Sequence, residues 1–157
     1  MVAFNESDTI VFDTSRPMPW TQGATLPRPG KQMALQASTW TPDMKTFAGA
    51  GVRLSDMAAL PAIVVYSSET QKYTILDNVI PEMRQSVVRD VILWLKDNRR
   101  LLSINGGRIY VVDARARTAH LVYYAPGFYW LSLSQDNRWI YLSQQADEGD
   151  IWLATLK

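Results

Sequence analysis

The feature that most restricts what this chain can fold into is a repeat. Asp97-Asn98-Arg99 returns as Asp136-Asn137-Arg138, so positions 97 and 136 set a period of 39 residues. In both copies an apolar strand runs into a polar turn, then a second apolar strand, a Gly-bearing turn and a third strand (Ile109 to Val112; Ile151 to Leu153). A period of that length built from short strands reads as the blades of a β-propeller. The expected fold is therefore all-β: a partial propeller of about three to four four-stranded antiparallel blades, with the last lacking its fourth strand. It forms a single domain over residues 1–157, with a degenerate blade at 2–36, blades at 37–78 and 90–123, and an incomplete one at 129–157.

The opening residues fit this scheme. Val2-Ala3-Phe4 and Thr9-Ile10-Val11-Phe12 flank a polar turn and are rich in β-branched and aromatic residues. From 15 to 38, Pro17, Pro19, Pro27, Pro29 and Gly30 leave room only for short strands near Trp20 to Leu26 and Lys31 to Leu35. The repeat returns at Trp40-Thr41-Pro42-Asp43, which aligns with Trp94-Leu95-Lys96-Asp97. Asp43 precedes Asp97 by 54 positions, so this repeat holds about fifteen extra residues. They are expected in two loops, between Gly49 and Ala62 and between Leu76 and Asp90. Third and fourth strands are expected at Ile63 to Tyr66 and Tyr73 to Leu76, matching Ile109 to Val112 and Ala119 to Val122. Met83, Val87, Val88 and Val91 fall near helical spacing, so a short helix competes within Pro81 to Leu95, while Val91 to Trp94 stays a strand.

Two local patterns sharpen the picture. Asn105-Gly106 is expected to supply the positive φ of a tight hairpin within Leu101 to Tyr110. Tyr110-Val111-Val112 and Trp139-Ile140-Tyr141-Leu142 are apolar on successive residues, so both faces of these sheets should be buried between neighbouring blades.

At Trp40-Thr41-Pro42-Asp43, Leu133 to Tyr141 and Asp150-Ile151-Trp152-Leu153 the chain resembles the TolB-type, WD-repeat-like propeller repeat, whose strand and turn read roughly W-S-P-D-G. Met44, Asn98 and Asn137 stand where that family favours Gly; Asn tolerates the left-handed region, and Met44 fits it less well. The proline-rich segment, the Trp-Thr-Pro-Asp turn, "AGAGVRL" and the terminal "DIWLATLK" are also similar to propellers that some bacteria fuse to serine/threonine kinases. That resemblance implies a sensor or interaction domain. The chain holds no kinase motif of its own.

Candidate chemistry is sparse. His120, the only histidine, stands on an outermost strand without a second ligand or nucleophile and reads as a surface residue. Asp147, Glu148 and Asp150 lack the spacing of a calcium loop and read as a solvated hairpin. Asp97 and Asp136 recur in successive repeats, which suits turn capping and not catalysis. Arg99, Arg100, Arg108, Arg115 and Arg117 lie on different strands and turns with acidic residues nearby, which reads as a solvated surface. Tyr123, Tyr124, Phe128, Tyr129 and Trp130 flank Pro126-Gly127, where most should pack between blades and some could present rings to a partner.

The function that follows is a non-catalytic propeller binding module. The contact candidates are Arg53, Tyr124, Phe128 and Tyr129. No catalytic, metal or cofactor site is expected, since one His, no Cys and no Gly-x-Ser-x-Gly offer no activated nucleophile. The alternative is an accessory propeller of a peptidase or glycosidase whose catalytic part lies outside the chain. A formal net charge of +1 gives no field that would draw nucleic acid. No apolar run reaches the length of a membrane span, and the first residues lack an export signal, so a soluble chain is expected, its compartment left open. The partner is expected to be a protein or the remaining blades of the same propeller. Homo-oligomers are a further possibility, because open end blades would otherwise expose apolar faces.

Overall fold

The computed structural model describes residues 2–5, 8–19, 23–56, 58–80, 91–124 and 128–144. Every regular element among them is a strand. In chain order these are β1 (Val2–Asn5), β2 (Asp8–Val11), β3 (Ala24–Thr25), β4 (Met33–Trp40), β5 (Thr46–Arg53), β6 (Ala59–Ser67), β7 (Lys72–Asp77), β8 (Ile92–Trp94), β9 (Arg100–Asn105), β10 (Arg108–Asp113), β11 (Thr118–Tyr124), β12 (Phe128–Leu133) and β13 (Ile140–Gln144). Among the described residues no helix is long and apolar enough to cross a membrane.

The strands form antiparallel sheets in sequence order: β1-β2-β3, then the four-stranded β4-β5-β6-β7 and β8-β9-β10-β11, then β12-β13. Each four-stranded sheet is a meander, as a propeller blade requires. The series is open, not closed.

Alternation along the strands explains why the sheets stack. Ala48, Ile63, Val65 and Leu76 leave one face of the first complete blade and meet Ile92, Trp94, Leu101, Tyr110 and Val112 of the second. The opposite face of that second blade carries Leu102, Ile104 and Ile109, which pack on Leu131 of β12. Apolar residues at consecutive positions thus serve two interfaces at once.

The innermost strands are also tied directly. A bulge between Ala37 and Thr39 interrupts the β4–β5 register, and the Ser38 hydroxyl next to it donates to the Ile92 carbonyl at 3.4 Å. The Trp94 amide donates to Thr39 Oγ1 at 3.2 Å. Bulges commonly re-aim side chains in this way. Ser38 meeting Ile92 and Thr39 meeting Trp94 also means that β4 and β8 run in the same direction.

Several expectations need correction. The extra residues between Gly49 and Ala62 do not form a long loop: β5 continues to Arg53 and β6 starts at Ala59, so they lengthen a hairpin. Extending paired strands satisfies backbone groups that a loop would leave to water. The strand expected at Lys31 to Leu35 is the beginning of β4, which crosses the anticipated blade boundary at 36. The tight turn consists of Gly106 and Gly107, with φ of 54° and 77°, while Asn105 pairs with Arg108 inside the ladder and is buried. Both central residues of such a turn need positive φ, and the Gly-Gly pair supplies it at least steric cost.

Trp139, Ile140, Tyr141 and Leu142 are not buried. Their exposure runs from 40% to 65%, because β13 lies at the end of the described series and has a stacked sheet on one side only. The competing helix at 81–90, the acidic group Asp147, Glu148 and Asp150, and the third strand at Ile151 to Leu153 lie outside the described residues.

Candidate functional site

Strand alternation sorts the chain's loops onto two rims. One rim collects the turns joining first to second and third to fourth strands of each blade. The other collects the ends of second and fourth strands and the starts of first and third strands.

The first rim is occupied by its own hydrogen bonds. In the turn after β4, Asp43 Oδ1 accepts from the Thr41 hydroxyl at 2.6 Å and from the Lys45 amide at 3.1 Å, and Thr41 Oγ1 accepts from the Thr46 amide at 3.0 Å. The turn after β12 repeats this. Asp136 Oδ1 accepts from the Ser134 hydroxyl at 2.6 Å and the Arg138 amide at 3.1 Å, and Ser134 Oγ accepts from the Trp139 amide at 3.0 Å. Asp97 Oδ1 accepts from the amides of Arg99 and Arg100. The recurring aspartates cap turns, for the reason that short carboxylate side chains suit such positions.

The residue after each aspartate has positive φ: 60° at Met44, 54° at Asn98 and 58° at Asn137. The two asparagines do more than tolerate it. Asn98 Nδ2 donates to Asp43 Oδ2 at 3.3 Å, and Asn137 Oδ1 accepts from the Lys96 amide, so each links its turn to that of the preceding blade. Glycine could adopt the backbone but could not make the link. Met44 offers no comparable polar group and bears the left-handed cost, roughly 1–2 kcal/mol.

Several charges on and beside this rim are paired. Lys45 meets Glu69, Arg99 meets Asp113, Arg100 meets Asp97 and Arg117 meets Asp77. Arg99 beside Asp113, with the Ala116 amide, holds that carboxyl down at about 2. The Thr41 hydroxyl and Lys45 amide lower Asp43, and the Ser134 hydroxyl and Arg138 amide lower Asp136. Partial burial acts to raise Asp97, but its bonds from Arg100 and Arg99 outweigh that and leave it lowered.

Carboxyls depressed in the folded state stabilise it fully above their unfolded value, near 4, and that stabilisation is lost as pH falls through the folded values. The melting temperature is expected to be flat above about pH 5 and to fall between about pH 4 and 2. Asp113→Asn should flatten the fall in a pH series followed by circular dichroism; an unchanged slope would mean that Asp113 does not contribute.

The second rim holds the sequence candidates. Arg53 ends β5, Tyr124 ends β11 and Phe128 begins β12, so alternation puts all three on it, with Tyr129 next in β12. Arg53 is tied to its own turn through Asp56 at 3.0 Å. Tyr124 is exposed, and the Arg108 guanidinium lies 5.1 Å from its ring centroid, a cation–π contact. Arg53 and Tyr124 sit in different blades and do not meet. Tyr129 falls at the register shift between Phe128 and Trp130. The side chains of Phe128, Tyr129 and Trp130 lie outside the described residues. His120 is exposed on the outer strand β11. Among the described residues no three His, Asp or Glu side chains gather as metal ligands would.

Among solved structures, the crystal structure of TolB from Acinetobacter baumannii superposes on this chain with a TM-score of 0.60 at 18% sequence identity. The match covers 90% of this chain and 32% of TolB. The fold is TolB-like. This chain spans about a third of the length of that β-propeller protein. No family model matches the sequence, and no curated protein does. What carries over from TolB at this identity is the blade architecture and the order of strands within it.

Proposed function

We propose that this chain is a non-catalytic interaction segment of a larger TolB-like propeller, binding a protein partner at the rim that carries Arg53, Tyr124, Phe128 and Tyr129. The observation that supports this reading is the contrast between the rims. One is filled by turn-to-turn hydrogen bonds and ion pairs, whereas the other ends in strand tips and connections, including an exposed tyrosine stacked by an arginine. Rigid scaffolds commonly present binding residues on such variable connections. Aromatic side chains and arginine are the groups most often dominant in protein contacts. Any kinase or hydrolase that this segment serves would lie in other parts of a parent protein.

The test is a pull-down comparing the chain with the Phe128→Ala, Tyr129→Ala double variant. Loss of a partner that the unaltered chain retains supports the reading; retention by both places the contact elsewhere. Hydrolysis of a peptide or glycoside by the purified chain would overturn it.

A further inference from the structure

The two complete blades end in outer strands of opposite character. β7 is a guarded edge: Lys72 and Asp77 sit at its ends, and Arg117 of the next blade donates to the Ile75 carbonyl at 2.9 Å and to Asp77 at 3.1 Å. Charges and covering groups of this kind keep an edge strand from pairing with another chain. β11 stands at the edge of its sheet in the order β11-β10-β9-β8, and its sequence, Thr118-Ala119-His120-Leu121-Val122-Tyr123-Tyr124, contains no proline, lysine or carboxylate. Leu121, Val122, Tyr123 and Tyr124 are each more than half exposed.

The cations around β11 differ too. Arg99, Arg100 and Arg117 are matched by Asp113, Asp97 and Asp77. Arg115, in the turn before β11, and Arg108, opposite its last residue, have no carboxylate partner among the described residues. Among the described residues, then, an edge of seven residues, roughly 23 Å long, has no guarding group and is flanked at both ends by positive charge without a carboxylate partner. Pairing with β10 is regular from Thr118 to Leu121, and a bulge at Val122 then breaks the register. Beyond it Tyr123 and Tyr124 reach the second rim.

We propose that the outer edge of β11 captures an extended acidic peptide by strand addition. Its backbone would pair along Thr118 to Leu121 and its carboxylates would meet Arg115 and Arg108. Main-chain hydrogen bonds provide affinity in this mode and the flanking charges select the sequence. This rests on the protein-binding reading above and names the chemistry of the partner.

The probe is a fluorescein-labelled eight-residue peptide alternating valine with glutamate, followed by anisotropy at low salt. It is expected to bind saturably, and a lysine-for-glutamate version is not. Arg108→Ala with Arg115→Ala should weaken binding about tenfold, a loss of roughly 1.4 kcal/mol. Leu121→Glu, which sets a carboxylate against those of the peptide, should abolish binding with the melting temperature retained. A glutamate peptide N-methylated at alternate amides should also fail, and this control needs no protein variant. Equal binding of the lysine or the N-methylated peptide would overturn the proposal. So would light scattering that shows a dimer dissolved by Leu121→Glu, since the edge would then belong to a second copy. If the acidic peptide fails to bind while the pull-down still depends on Phe128 and Tyr129, the edge inference falls and the interaction module stands.

Discussion

Gly49→Ala is expected to cost about 3 kcal/mol or more, enough to unfold the first complete blade or the whole chain. A Cβ at Gly49 would lie 1.9 Å from the carbonyl oxygen of Gln36 and 2.7 to 2.8 Å from backbone carbons of Gln36 and Ala37. These are backbone atoms of β4, next to the bulge that ties it to β8. They cannot retreat without breaking the β4–β5 ladder or the contact between blades. Gly51, two residues along the same strand, is the control. There a Cβ would meet the Val64 Cγ2 methyl at 3.1 Å, a side-chain atom that can yield, so Gly51→Ala should cost about 1 kcal/mol or less. Urea unfolding of both variants checks the pair. Similar midpoints would show that the close approach at Gly49 does not limit stability.

Leu101→Ala should destabilise by about 2–5 kcal/mol. Leu101 is fully buried, within a cluster that joins Ala48, Ile63, Val65 and Leu76 of one blade to Ile92, Trp94, Tyr110 and Val112 of the next. Removing it opens a cavity between two sheets whose backbones are fixed by their own ladders, so collapse can recover little of the loss. A chain of this size should melt roughly 4–20 °C lower. Leu142→Ala deletes the same atoms from a side chain that is 40% exposed, and should cost no more than about 1 kcal/mol. The contrast distinguishes a structural joint from an end surface. Equal effects at the two sites would mean that the stacked faces are not what holds adjacent blades together.

Much of this architecture was legible in the sequence because a propeller blade is a local object. The 39-residue spacing, the apolar runs and the Asp-containing turns all act within one four-stranded meander, where neighbours in sequence are neighbours in space. Positive φ at Met44, Asn98 and Asn137 followed from their alignment with a glycine position. The candidate residues were chosen by type alone, and strand alternation then assigned Arg53, Tyr124 and Phe128 to a common rim without bringing Arg53 and Tyr124 together.

What only the tertiary structure decided lies between blades. No local pattern tells that Asn98 and Asn137 reach back to the preceding turn, or that the bulge near Ser38 turns hydroxyls toward β8. Nor does one tell that Arg117 covers the edge of β7 while the Arg108 guanidinium lies over Tyr124 at the end of β11. Hydrophobic periodicity marks a face as apolar but does not identify what covers it. That is why Tyr110 is buried and Tyr141, in an equally apolar run, is exposed. Sequence determined the blade, and the packing of one sheet on the next determined which of its described surfaces are buried and which are exposed.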